Sequence, residues 1–108
     1  MIFQTLSHFD RELKRLLKKY PSIGRDLKLL LESLENNPTQ GDALGKDCYK
    51  VRMAISSKNK GKSGGARVIT CVKIFNGSVI LLSIYDKSEQ SDIPSDLIQQ
   101  LLRDHDLL

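Results

Sequence analysis

Lys58, Lys60 and Lys62 punctuate a short glycine-rich stretch, Arg67 follows it, and Lys87 comes later in the chain. Asn76-Gly77 between Arg67 and Lys87 is a strong hairpin signal. A two-residue turn there makes Phe75 face Ser78, Arg67 face Asp86 and Ala66 face Lys87. Five cations, Lys58, Lys60, Lys62, Arg67 and Lys87, would then converge at one end of the hairpin. Such a cluster suits attack of a ribose 2′-hydroxyl on its neighbouring phosphate, because the transition state concentrates negative charge on phosphoryl oxygens and fixed cations stabilise it. Arginine can clasp two oxygens at once. Lysine acts as a point charge or, where neighbouring cations lower its pKa, as a proton acceptor. With no histidine in the loop, Lys60 is the best candidate for that second role. This chemistry requires neither a metal ion nor a cofactor. A competing use for Arg67 is a cross-strand ion pair with Asp86.

The charge distribution supports a polyanionic partner. The chain has 108 residues and a net charge of +4, but residues 48–85 hold Lys50, Arg52, Lys58, Lys60, Lys62, Arg67 and Lys73 with no acid among them. The segment before is nearly balanced, and the segment from Asp86 onward is acidic. A basic centre between neutral and acidic flanks points to a phosphate backbone. Lys50, Arg52, Lys62 and Lys73 are the expected RNA contacts, joined by Tyr85, whose alternation with Leu81 and Ser83 reads as packing or stacking. Lysines also collect on a sheet edge to discourage aggregation, which is the plainer reading.

The elements that position these residues follow from periodicity. Phe9, Leu13, Leu16, Leu17 and Tyr20 recur at helical spacing after Ser7, and Pro21 stops that helix. Ile23, Leu27, Leu30, Leu31 and Leu34 repeat the pattern after Ser22, giving an antiparallel helical hairpin. Ile2 to Gln4 could form a short strand, and Thr39 to Asp47 reads as an irregular loop. From Cys48 the period becomes two, with Tyr49, Val51, Met53 and Ile55 alternating against Lys50, Arg52 and Ala54. Ala66 to Phe75 and Ser78 to Tyr85 supply two further strands. Pro94 opens a short last helix carrying Leu97, Ile98, Leu101 and Leu102. The expected class is α+β in one domain, 1–108: an antiparallel sheet with two N-terminal helices on one face and a short C-terminal helix, the helices segregated to one side.

Several functions are disfavoured. Cys48 and Cys71 lie in strands without a Cys-x-x-Cys or a histidine at ligand spacing, so buried reduced thiols are expected and no metal site. Gly61-Lys62-Ser63 imitates the end of a phosphate-binding P-loop, but Ser56 replaces the first glycine and a strand follows where a helix is needed. His8 and His105 are remote in sequence from the basic loop. No signal peptide or membrane-spanning run is evident, so the expected compartment is the reducing cytoplasm.

The segment Lys60-Gly61-Lys62-Ser63-Gly64-Gly65-Ala66-Arg67-Val68-Ile69, followed by Ile84-Tyr85-Asp86-Lys87-Ser88-Glu89, resembles the RelE/ParE toxin superfamily, especially its HigB-like branch. The order helix, helix, three strands and helix agrees across nearly the whole chain. The resemblance implies a RelE-like fold and the toxin of a type II toxin–antitoxin pair. It implies an mRNA endoribonuclease that enters the A site of the 30S subunit beside 16S rRNA and leaves a 2′,3′-cyclic phosphate. The implied partner is an antitoxin of helix-turn-helix type from an adjacent gene. The family's catalytic positions correspond to Lys58, Lys60, Arg67 and Lys87, with Lys62 added. Where RelE toxins carry a tyrosine in the C-terminal stretch, this chain has Ile93, which leaves the acid and base open. Two alternatives stand beside this: a ParE-like gyrase inhibitor, and a module that binds RNA or ribosomes without chemistry.

Overall fold

The structure is a computed structural model that describes residues 1–58, 61 and 64–108. Its strands are β1 (Ile2–Thr5), β2 (Asp42–Gly45), β3 (Cys48–Met53), β4 (Ala66–Lys73) and β5 (Ser78–Asp86), and its helices are α1 (Ser7–Lys19), α2 (Ile23–Asn36) and α3 (Ser95–Asp104). Short 3₁₀ turns occupy Ser56–Lys58 and Ile74–Asn76. The five strands form one mixed sheet in the order β1-β5-β4-β3-β2, with β1 parallel to β5 and the other pairs antiparallel.

The expected α+β class holds, and two details differ from the sequence reading. The sheet gains both flanking strands, since β1 docks on β5 and β2 forms an edge hairpin with β3. That hairpin turns through Lys46 and Asp47, both with positive φ, the backbone that a two-residue turn demands. No Asn-Gly marks it, and every residue of β2 is exposed, so no apolar alternation betrays the strand.

The helices also do not share one face. Phe9, Leu16, Ile23, Leu30 and Leu34 of α1 and α2 pack on Val51, Val68, Val79, Leu81 and Ile84. Leu101 and Leu102 of α3 pack on the reverse side, against Ile69, Cys71, Ile80, Leu82 and Tyr85. All of β5 is buried. A strand apolar on both sides must be covered on both, and α3 supplies the second layer.

Register departs from the two-residue hairpin twice. Lys73 pairs with Ser78, so the connection is the 3₁₀ turn closed by Gly77 at φ 65°, and Phe75 projects from its tip, 86% exposed. A bulge then follows: Thr70 pairs with Leu81 but Ile69 with Ser83, leaving Leu82 as an extra residue. The carboxylate of Glu12 in α1 holds the bulge, since Oε1 accepts from Ser83 Oγ at 2.7 Å and from the Ile84 backbone N–H at 3.1 Å. The outcome is that Arg67 faces Tyr85 and Ala66 faces Asp86, which replaces the expected Arg67–Asp86 and Ala66–Lys87 pairings.

Cys48 and Cys71 face each other across β3 and β4, both buried and free. The neighbouring Cys71 sulfur and burial together push the Cys48 thiol up, keeping it protonated.

Candidate nucleic-acid interface

Alternation along β3 sends Val51 and Met53 toward α1 and α2 and leaves Lys50 and Arg52 on the reverse face. Arg52 pairs with Arg67, and Arg67 pairs in turn with Tyr85, so three consecutive strands lay two guanidinium groups and a phenol in one row. Arg52 is exposed, whereas Arg67 is 5% exposed and Tyr85 1%. The Arg67 guanidinium donates to the Ala66 carbonyl at 3.1 Å, which fixes its orientation along the strand.

Asp92, in the segment leading into α3, completes this face. Its Oδ1 accepts from its neighbour Ile93 N–H at 2.8 Å and stands 3.5 Å from both Lys50 Nζ and the Tyr85 hydroxyl. The Ile93 N–H, outweighing a partial desolvation, and the nearby Lys50 ammonium hold the Asp92 carboxyl below its usual range. Burial and the adjacent Asp92 charge, opposed by Arg67, push the Tyr85 phenol up to about 12. Tyr85 therefore remains a hydrogen-bond donor at neutral pH.

The other face holds a separate polar knot. Asp86, with no exposed surface, accepts from the Tyr20 hydroxyl at 2.5 Å, Lys58 Nζ at 2.9 Å, Ser88 Oγ at 2.8 Å and Ser88 N–H at 3.0 Å. Burial alone would raise its pKa, but the donors from Tyr20, Lys58 and Ser88 overcome it and hold the carboxyl far below the carboxylate range. Lys58 thus points into the Asp86 knot beside the Tyr20 ring, 5.5 Å from its centroid.

A second buried carboxylate anchors the turn just before the lysine-rich stretch. Asp26 of α2 accepts from the Ser56 hydroxyl, from Ser56 N–H at 2.9 Å and from Ser22 Oγ at 2.7 Å. Its burial is outweighed by these Ser56 and Ser22 hydrogen bonds, and its pKa is lowered. On the far side of the stretch, the Gly65 carbonyl accepts from Lys87 N–H at 3.1 Å. A Cβ at Gly65 would lie 2.3 Å from the Met53 carbonyl oxygen, so only glycine admits this close crossing.

The structure therefore gathers Lys50, Arg52, Arg67 and Tyr85 on one face, with exposed Lys87 tied by its backbone to Gly65 at the mouth of the loop. Lys58 belongs to the Asp86 knot. Lys73 stands at the opposite end of β4, 3.2 Å from Asp47, away from this group. Lys60 and Lys62 lie outside the described residues. Sequence reasoning missed Asp26, Asp86 and Asp92 as positioning groups, because nothing in their spacing distinguishes a buried carboxylate from a solvated one. His8 pairs with Glu12 at 3.1 Å on α1, on the side of the sheet away from the arginine row. Among the described residues, no group of three or more His, Cys, Asp or Glu side chains is placed to hold a metal ion, and no helix is long and apolar enough to cross a membrane.

The arrangement puts an exposed arginine, Arg52, beside a buried one, Arg67, on adjacent strands of one face, where the exposed guanidinium offers N–H donors to an anionic oxygen. No family model matches the chain. Among solved structures, the isolated E. coli RelE toxin in its P21 crystal form superposes with a TM-score of 0.62 at 20% identity, covering 94% of this chain and 98% of that one. An arginine-to-alanine double variant of E. coli toxin RelE in the free state gives 0.60 at 18% identity, with 94% of each chain covered. The fold is RelE-like. The agreement runs over nearly the full length of both chains.

Proposed function

We propose that the protein is the toxin of a type II toxin–antitoxin pair, of the HigB-like branch, acting as a metal-independent endoribonuclease on mRNA in the ribosomal A site. The observation that carries this reading is the Arg52–Arg67 cross-strand pair. That register sets Arg52 and Arg67 on the face that also carries Lys50, and cations gathered on one face of a sheet raise a positive potential that attracts an anion. A scissile phosphate is such an anion, and its charge grows in the transition state, so the same two groups bind and catalyse. Arg67 clasps the phosphoryl oxygens, Arg52 and Lys50 hold the flanking backbone, and Lys87 faces the leaving side at the mouth of the loop. Lys60 is the proton acceptor for the 2′-hydroxyl and Lys62 a further phosphate contact, both on sequence grounds. Lys58 acts through the Asp86 knot that positions the start of the loop. An antitoxin silences the protein by covering the arginine row or by displacing α3 from the same face.

Single-turnover cleavage of mRNA on programmed ribosomes tests the proposal. The wild-type protein cuts within the A-site codon, and Arg67→Ala loses about a hundredfold or more in rate, the usual effect of deleting a transition-state donor. Ribosome binding without cleavage would reduce the protein to a non-catalytic module. Inhibition of gyrase with intact mRNA would make it ParE-like.

A further inference from the structure

We infer that the cleft between β2 and α3 is a subsite for a single RNA nucleobase, a reading that rests on the proposed action on RNA. The cleft has a volume of about 210 Å³ and is lined by Leu44, Lys50, Asp92, Ile98, Gln99 and Leu102. Pockets for drug-sized ligands run to several hundred Å³, so this one takes a group the size of one heterocycle. Leu44, Ile98 and Leu102 make aliphatic walls for the faces of a flat ring. Leu44, on the edge strand β2, is 41% exposed, so its wall of the cleft is reachable from solvent.

The polar groups stand at the rim in a mixed set. The Gln99 amide offers a donor and an acceptor, Lys50 a donor and Asp92 an acceptor. A set of both kinds fits the Watson–Crick edge of a base, which presents donors and acceptors side by side. A pocket for phosphate alone would have no use for the Asp92 carboxylate.

Register supplies the link to the arginine row. Lys50 lines the cleft and shares its strand face with Arg52, two residues on, or about 7 Å at the usual rise of a strand. A phosphate seated between Arg52 and Arg67 therefore puts an adjoining base within reach of the cleft. Asp92 ties the two regions together, since it touches Lys50 in the cleft and Tyr85 in the row.

Methyl NMR titration of the full chain with the four nucleoside 5′-monophosphates, and with ribose 5-phosphate as the probe lacking a base, tests the subsite. The nucleotides are expected to shift the methyls of Leu44, Ile98 and Leu102 by amounts that depend on the base. Ribose 5-phosphate should perturb only the surroundings of Arg52 and Arg67. Ile98→Trp fills the cleft and should abolish the base-dependent shifts while sparing the phosphate response, and Gln99→Leu should flatten the preference among bases. Identical patterns for nucleotides and ribose 5-phosphate overturn the inference, as does a response of the methyls to an acidic peptide alone. Base-dependent shifts in a protein that cleaves no mRNA would leave the subsite standing and remove the nuclease reading. Cleavage without those shifts would do the reverse.

Discussion

The Lys58 ammonium lies 2.9 Å from the Oδ1 of Asp86, a carboxylate with no exposed surface, and the two close the base of the lysine-rich stretch against α1. Removing one partner strands the other as a buried charge, so Asp86→Ala should cost about 3 to 5 kcal/mol in urea unfolding at neutral pH. Because Asp86 is held far below the ordinary carboxylate value, its stabilisation is complete above about pH 4, the unfolded value, and is lost as pH falls through the folded one. The stability gap between wild type and Asp86→Ala should therefore narrow on acidification. A gap that stays constant down to pH 2 would show that Asp86 carries no such linkage.

Glu12 satisfies the backbone at the bulge from outside the sheet, accepting from Ile84 N–H and Ser83 Oγ. Glu12→Ala leaves those donors without it in a buried site and should destabilise the chain by about 1 to 3 kcal/mol. Amide exchange at Ile84 should quicken more than at Val79. Uniform exchange along β5 in the variant would mean that Glu12 does not secure the bulge.

Tyr85 titrates at about 12 in the folded chain against an ordinary phenol near 10. The raised value means that the folded state keeps its proton where the unfolded chain has lost it. The associated stability is intact below about pH 10 and declines as pH rises through 12. Tyr85→Phe, compared with wild type in urea between pH 8 and 12, should remove part of that alkaline decline. Parallel curves for the two proteins would place the phenol in contact with solvent.

Binding to RNA or ribosomes should weaken steeply with salt, with a log-log slope on the order of −3 to −5 for about four to six neutralised phosphates. Arg52, exposed in the row, should account for about one unit, so Arg52→Ala should flatten the slope by that amount. Lys73→Ala, at the far end of β4 beside Asp47, should leave it nearly unchanged. A slope near zero for the wild type would remove the electrostatic basis of the interface.

Much of this molecule is legible in its sequence. Apolar spacing located α1, α2, α3 and the three central strands, because a helix or strand that buries one side must repeat its apolar residues at the period of its backbone. The absence of acids from residues 48–85 marked the basic face, and Arg52 and Lys50 were placed opposite Val51 and Met53 by alternation alone. Three matters were decided only by tertiary packing. The edge hairpin of β2 has no apolar pattern to read, since its residues face water on both sides. The position of α3 on the reverse face follows from β5 being apolar on both sides, which a one-dimensional pattern records as a run and cannot assign to a layer. Most consequential is the extra residue at Leu82. A bulge has no fixed sequence signature, and this one is held by Glu12, some seventy positions away in the chain. Beyond it every side chain of β5 changes face, so Tyr85 joins Arg67 and Asp86 turns inward to Lys58. Because a strand's period is two, one residue of slip exchanges the two faces, and only the contacts of the folded chain select which side chains stand beside Arg67 and which turn toward Lys58.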